Sequence, residues 1–119
     1  MAAPFRSYDI RGLFPEEIDE SLAFDAGRAA VARFGWRNVC VAHDMRPSSP
    51  ALAEALVAGL VRQGARVEFL GMTSTDMMYL AVLAHRLDAG FMVTASHNPA
   101  RYNGIKVVRE RALPVGLDS

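Results

Sequence analysis

Between Glu17 and Phe34 the apolar positions Ile18, Leu22, Ala23, Ala26, Ala29, Ala30 and Phe34 recur in steps of three and four, which predicts an amphipathic helix that Gly35 stops. Asn38 to His43 is short and rich in Val and Cys, the pattern of a strand buried on both faces. A second helix follows: Ser49 reads as its N-cap, Pro50 as its first residue, Leu52, Leu56, Leu60 and Val61 as its apolar stripe, and Gly64 as its end. Arg66 to Leu70 reads as another strand. Ser74 or Thr75 then caps a third helix whose face holds Met78, Leu80, Val82 and Leu83, and Phe91 to Val93 is the next strand.

Helices alternating with buried strands predict a parallel sheet covered on both faces. The final strand, Gly104 to Val108, begins too soon after Val93 for a helical crossover and must run antiparallel. The expected fold is a three-layer α/β/α sandwich around a mixed four-stranded sheet, with three parallel strands and the last one antiparallel. Such layers normally continue with further helix, so the sandwich is expected to be incomplete at the C-terminus, as in a chain cut short. The surfaces this would uncover, the outer face of the Gly104–Val108 strand first, would favour self-association.

At 119 residues the chain is expected to form one domain, and 51% hydrophobic with 22% charged residues is the balance of a folded protein. Thirteen basic residues offset thirteen acidic ones, so no net positive field invites nucleic acid or an anionic membrane, and any anion recognition must be local. No apolar run is long enough to span a bilayer, and the N-terminus has no secretory pattern, so the cytoplasm is expected. Cys40 is the only cysteine; flanked by Val39 and Val41, it reads as a small buried hydrophobe.

Chemistry in open α/β sheets collects beyond the carboxyl ends of the strands. Three loops occupy that edge: 43–49, 71–76 and 94–103. The last is the densest, with Ser96, His97, Asn98 and Pro99 followed by Tyr102, Asn103, Gly104 and Lys106. A serine there needs a base or, if phosphorylated, cations to hold its phosphate, and Arg11, Arg46 and Lys106 are the candidates. The same composition also suits an ordinary turn. Asp44 and Arg46 are as suited to pairing with each other or bracing the loop backbone as to touching a substrate. His43 is intermediate, and His85 reads as a helix C-terminal partner.

Three segments change that balance. Phe5-Arg6-Ser7-Tyr8-Asp9-Ile10-Arg11-Gly12, His43-Asp44-Met45-Arg46 and Thr94-Ala95-Ser96-His97-Asn98-Pro99, the last extended by Tyr102-Asn103-Gly104-Ile105-Lys106, resemble the α-D-phosphohexomutase family in order and spacing. The likeness is nearest to the bacterial phosphomannomutase/phosphoglucomutase branch and runs from about Phe5 to the C-terminus. Many members have Gly where this chain has Ala42, but Asp44 and Arg46 keep register.

The resemblance implies an N-terminal catalytic-serine domain, over residues 1–119, of an enzyme that moves a phosphoryl group between C1 and C6 of a hexose phosphate. Ser96 would carry that group and contribute one ligand to Mg²⁺. His97 would be the acid/base helper, Lys106 and Arg11 would stabilise charge, and Tyr8, Arg11, Asn98 and Lys106 would contact the sugar or its phosphate. A hexose 1,6-bisphosphate would serve as activator. The family's aspartate-rich metal loop, sugar-selecting loop and distal phosphate site are absent from these residues, so the remaining domains are the expected partners and the isolated chain is expected to be inactive. A stand-alone phosphosugar-binding or assembly module is the alternative. A serine hydrolase is disfavoured, because no Gly-X-Ser-X-Gly elbow is present and adjacent Ser96 and His97 are poorly placed to share a proton.

Overall fold

The structure is a computed structural model, which describes residues 9–95 and 98–109 and the backbone of 113–114. In chain order the elements are β1 (Asp9–Leu13), α1 (Glu20–Phe34), β2 (Asn38–His43), α2 (Ser49–Arg62), β3 (Arg66–Met72), α3 (Thr75–Ala84), β4 (Ala89–Val93), β5 (Tyr102–Arg109) and the short β6 (Leu113–Pro114). The sheet runs β1-β5-β4-β2-β3, with β6 also paired to β5. Strands β3, β2 and β4 are parallel, and β5 runs antiparallel to β4 as its short connection requires.

The expected four-stranded sheet is therefore corrected to six strands, because β1 and β6 both pair antiparallel with β5. The segment Asp9-Ile10-Arg11-Gly12-Leu13 lacks a strand's local signature. It becomes one by pairing with a strand near the other end of the chain, Asp9 opposite Lys106 and Leu13 opposite Tyr102.

The pleat divides the core in two. Val39, Val41, Phe91, Val93, Ile105 and Val107 face α1 and α2, while Cys40, Ala42, Met92 and Val108 face α3. Alternate positions on neighbouring strands thus feed opposite layers, the three-layer arrangement the pattern implied. Helices α1 and α2 cross closely because Gly59 has no side chain: a Cβ there would lie 2.0 Å from the Phe24 carbonyl oxygen. Cys40 is fully buried, and burial, reinforced by the charge of Glu68, pushes its thiol up to about 12.

Several boundaries move for local reasons. Helix α1 starts at Glu20, later than expected, because the Asp19 side chain accepts from the Leu22 N–H (2.8 Å) and so caps it. Its buried face uses Gly27 and Val31, whereas Ala29 is exposed. Ser74 caps α3 by accepting from the Met77 N–H (3.1 Å). Within α3, Met78 and Val82 are buried, but Leu80 and Leu83 lie half exposed, as does Val61 of α2, against expectation. The face of β5 named as an open surface is instead closed: Gly104, Ile105, Val107 and Val108 are all buried between flanking strands and the helical layers. Among the described residues no helix is long and apolar enough to cross a membrane.

Candidate functional site

Because β2 and β4 are parallel neighbours, the loops after them leave the same edge of the sheet side by side. They are joined at once: the Asp44 N–H donates to the Val93 carbonyl (3.1 Å). Asp44 then collects the surrounding donors. Its carboxylate accepts from the Ser49 hydroxyl, the Thr94 hydroxyl (2.7 Å), and the backbone N–H and Nε of Arg46 (both 3.0 Å). Burial works against this charge, but the Ser49 and Thr94 hydroxyls and the Arg46 donors outweigh it and hold the carboxyl below its ordinary range.

Arg46 is 7% exposed and spends its guanidinium on the other loop. Nη2 donates to the Asn98 carbonyl (2.9 Å), and Nη1 donates to those of Pro99 (2.7 Å) and Tyr102 (3.1 Å). A planar fork suits this task, since one rigid group reaches several diverging oxygens. Of the roles open to Arg46, bracing the loop backbone is the one observed among the described residues.

Ser49 is corrected as well. Ser48, not Ser49, stands at the N-cap of α2, and no side chain caps that helix. The fully buried Ser49 hydroxyl donates to Asp44 and accepts from Asn103 Nδ2 (2.9 Å). Asn103 also donates to the Ser48 hydroxyl (2.8 Å), and its Oδ1 accepts from the Gly104 N–H (2.8 Å). Sequence reading had no role for Thr94 or Asn103. Their signals were membership of the motif around Ser96 and a polar side chain beside buried strand residues at the ligand-bearing edge.

The loop after β4 is thus fixed on both sides of positions 96 and 97. Thr94 is held through Asp44 and through its N–H to the Gly104 carbonyl (2.9 Å). Asn98 is held by Arg46 and by its N–H to the Ala95 carbonyl (3.0 Å). Ser96 and His97 themselves, and Tyr8, lie outside the described residues.

Arg11 and Lys106 come to the same face of the sheet. In the antiparallel register Arg11 stands opposite Gly104 and Asp9 opposite Lys106. The missing side chain of Gly104 leaves room for Arg11: a Cβ there would lie 3.0 Å from Arg11 Cγ and 2.1 Å from the Ile10 carbonyl. Arg11 donates from Nη1 to Asn98 Oδ1 (3.3 Å) and pairs with Asp9 (3.3 Å), all on exposed side chains and so weakly. Lys106 Nζ lies 5.7 Å from the centre of the Tyr79 ring. His43 is buried and donates from Nδ1 to the Asp44 carbonyl (2.8 Å), a structural bond, while His85 pairs with Glu68 (2.7 Å) at the other end of the sheet.

A strand-end loop clamped on either side of a Ser-His pair, with two cations on the adjoining face, is an arrangement for presenting a group that carries negative charge. The family model described as phosphoglucomutase/phosphomannomutase, alpha/beta/alpha domain I, matches residues 2–119. The chain belongs to this family, as its domain I. It is 45% identical over 115 residues to a protein named phosphohexose mutases from Xanthomonas campestris pv. campestris, covering 97% of this chain and 26% of that one. It is 41% identical over 115 residues to a Klebsiella pneumoniae phosphomannomutase, covering 97% of this chain and 73% of that one. A crystal structure of a phosphoglucomutase/phosphomannomutase family protein from Burkholderia thailandensis superposes with a TM-score of 0.84 at 38% identity, covering 96% of this chain and 27% of that one. The domain thus spans about a quarter of the length of the Xanthomonas relative.

Mg²⁺ takes six oxygen ligands in near-octahedral array. Among the described residues no three His, Cys, Asp or Glu side chains gather to hold a metal, and Asp44, the carboxylate beside the loop, is already committed to its hydroxyl and guanidinium donors. These residues do not make a Mg²⁺ site, so the metal's other ligands would have to come from elsewhere.

Proposed function

We propose that this domain supplies the phosphoserine of a phosphomannomutase/phosphoglucomutase that interconverts hexose 1- and 6-phosphates in the cytoplasm. The observation that carries the reading is the bracing of the loop around Ser96: Thr94, two residues before it, and Asn98, two residues after it, are both tied to the Asp44–Arg46 pair. Phosphoryl transfer depends on positioning and on charge stabilisation, and fixing the residues that flank a nucleophile serves the first need.

In this mechanism the P–O bond to Ser96 Oγ breaks as a new one forms to the free hydroxyl of the bound hexose phosphate. The proton of that hydroxyl passes to a base, with His97 as the helper. The bisphosphorylated sugar turns over and returns its other phosphoryl group to Ser96. Lys106 and Arg11 offset the charge on the transferring group, and Tyr8 and Asn98 contact the sugar phosphate. The sugar site and distal phosphate site lie in other domains, so this chain alone is inactive.

The test uses both forms of the protein. In the full-length protein, peptide mapping is expected to find one phosphoryl group on Ser96, and Ser96→Ala is expected to abolish conversion of mannose 1-phosphate and glucose 1-phosphate. The folded 119-residue chain is expected to convert neither, with Mg²⁺ and bisphosphate present. Turnover by the Ser96→Ala protein would refute the phosphoserine assignment. Turnover by the isolated chain would refute its incompetence.

A further inference from the structure

Helix α3 is apolar all round from Met77 to Ala84, a composition expected of a helix enclosed on every side. Yet only one side of it meets the sheet. Met77 is 51% and Leu80 55% exposed, and Met72, at the end of the neighbouring strand, is 63% exposed. Helices α1 and α2 together cover one face of the sheet; among the described residues α3 is the one helix on the other face, and of β3 it is Leu70 that packs, partly buried, against the α3 cluster.

The uncovered region is a groove between α3 and β3 of about 340 Å³, floored by Leu70 and walled by Met77, Leu80, Ala81 and Ala84. Those four wall residues are positions i, i+3, i+4 and i+7 of one helix, the seam on which a second helix packs. Two large side chains form the ridges, and two alanines allow close approach.

At His85 the groove meets a polar hollow of about 360 Å³ that holds Arg66, Glu68 and Arg86. Glu68 is engaged by His85, and among the described residues neither arginine has a carboxylate within ion-pair distance. Arg86 stands just past the α3 C-cap at φ 53°, a position that ordinarily goes to Gly or Asn. The groove is therefore apolar along its length and cationic at one end.

We propose that the α3/β3 groove is the docking site for an amphipathic helix of a partner domain, with its apolar stripe on Met77 and Leu80 and an acidic C-terminal turn against Arg66 and Arg86. The negative end of the helix dipole and acidic side chains meet the same two guanidiniums, which sets the direction of docking.

The probe is a stapled helical peptide of about four turns with Leu at i, i+3, i+4 and i+7 and Glu in its last turn, pre-ordered to reduce the entropic cost of binding. A second peptide carries Lys in the last turn. Titration into the 119-residue chain, followed by amide NMR, is expected to shift α3 and β3 resonances and to favour the Glu peptide by about tenfold. Leu80→Glu, at an exposed position and checked for fold by circular dichroism, is expected to abolish binding; Arg86→Glu is expected to remove the preference for Glu. No binding, equal affinities, or shifts confined to other elements would overturn the proposal. A concentration-dependent dimer in sedimentation velocity that Leu80→Glu dissolves would assign the surface to a second copy of the chain and also overturn it.

Discussion

Replacing Arg46 with Met keeps the length of the side chain and removes its guanidinium. Among the described residues four hydrogen bonds disappear: those from Nε to Asp44, from Nη2 to Asn98, and from Nη1 to Pro99 and Tyr102. Asp44 keeps its two hydroxyl donors and the Arg46 N–H, but it loses its counter-charge where the pair is 7% and 13% exposed, too buried for solvent to screen. Breaking one side of such a pair costs about 3–5 kcal/mol. The low end applies here, because the three released carbonyls border a surface loop and water can reach them.

With a urea dependence of roughly 1.5 kcal/mol per molar, a loss of about 3 kcal/mol lowers the unfolding midpoint by about 2 M. Trp36 reports the transition, since it is buried, stacked on Phe34 (4.5 Å) and edge-on to Phe91 (6.0 Å). Arg46→Lys keeps the charge but cannot fork to three carbonyls, so its midpoint is expected between the other two proteins. A midpoint drop for Arg46→Met under about 0.5 M, or a Lys variant as stable as Arg, would refute the bracing role.

Two further outcomes follow from the same site. Asp44 has a lowered carboxyl pKa, so its contribution to stability is present above the unfolded carboxylate value of about 3.9 and is lost as pH falls through the folded value. Asp44→Asn is therefore expected to be less stable at neutral pH but to lose less stability below about pH 4; parallel acid-unfolding curves would contradict this. Gly104→Ala places a methyl group against the Ile10 and Thr94 carbonyls and is expected to cost about 1–3 kcal/mol in urea unfolding by pushing β1 off β5. Amide exchange across Ile10 and Arg11 should rise with it, and unchanged protection there would rule the mechanism out.

The amino-acid pattern alone was enough for the helices, the parallel core and the antiparallel return of β5, because these rest on local signals: periodicity over a few turns, Gly stops, and the length of a connection. The loop holding Ser96 was legible too, through its position past a buried strand and its resemblance to a known family. Tertiary structure decided what depends on residues distant in sequence. Asp9–Leu13 is a strand only because β5 offers it an edge. Ser49 reads locally as a helix cap, yet it is recruited by Asp44 and Asn103. Arg46 and Lys106 are equivalent as cations on paper, and burial separates them: Arg46 lies under the loop and satisfies its carbonyls, while Lys106 stays on the sheet face that Arg11 shares. Hydrogen-bond partners across fifty residues are set by the packing that removes water from around them, and no local pattern records that.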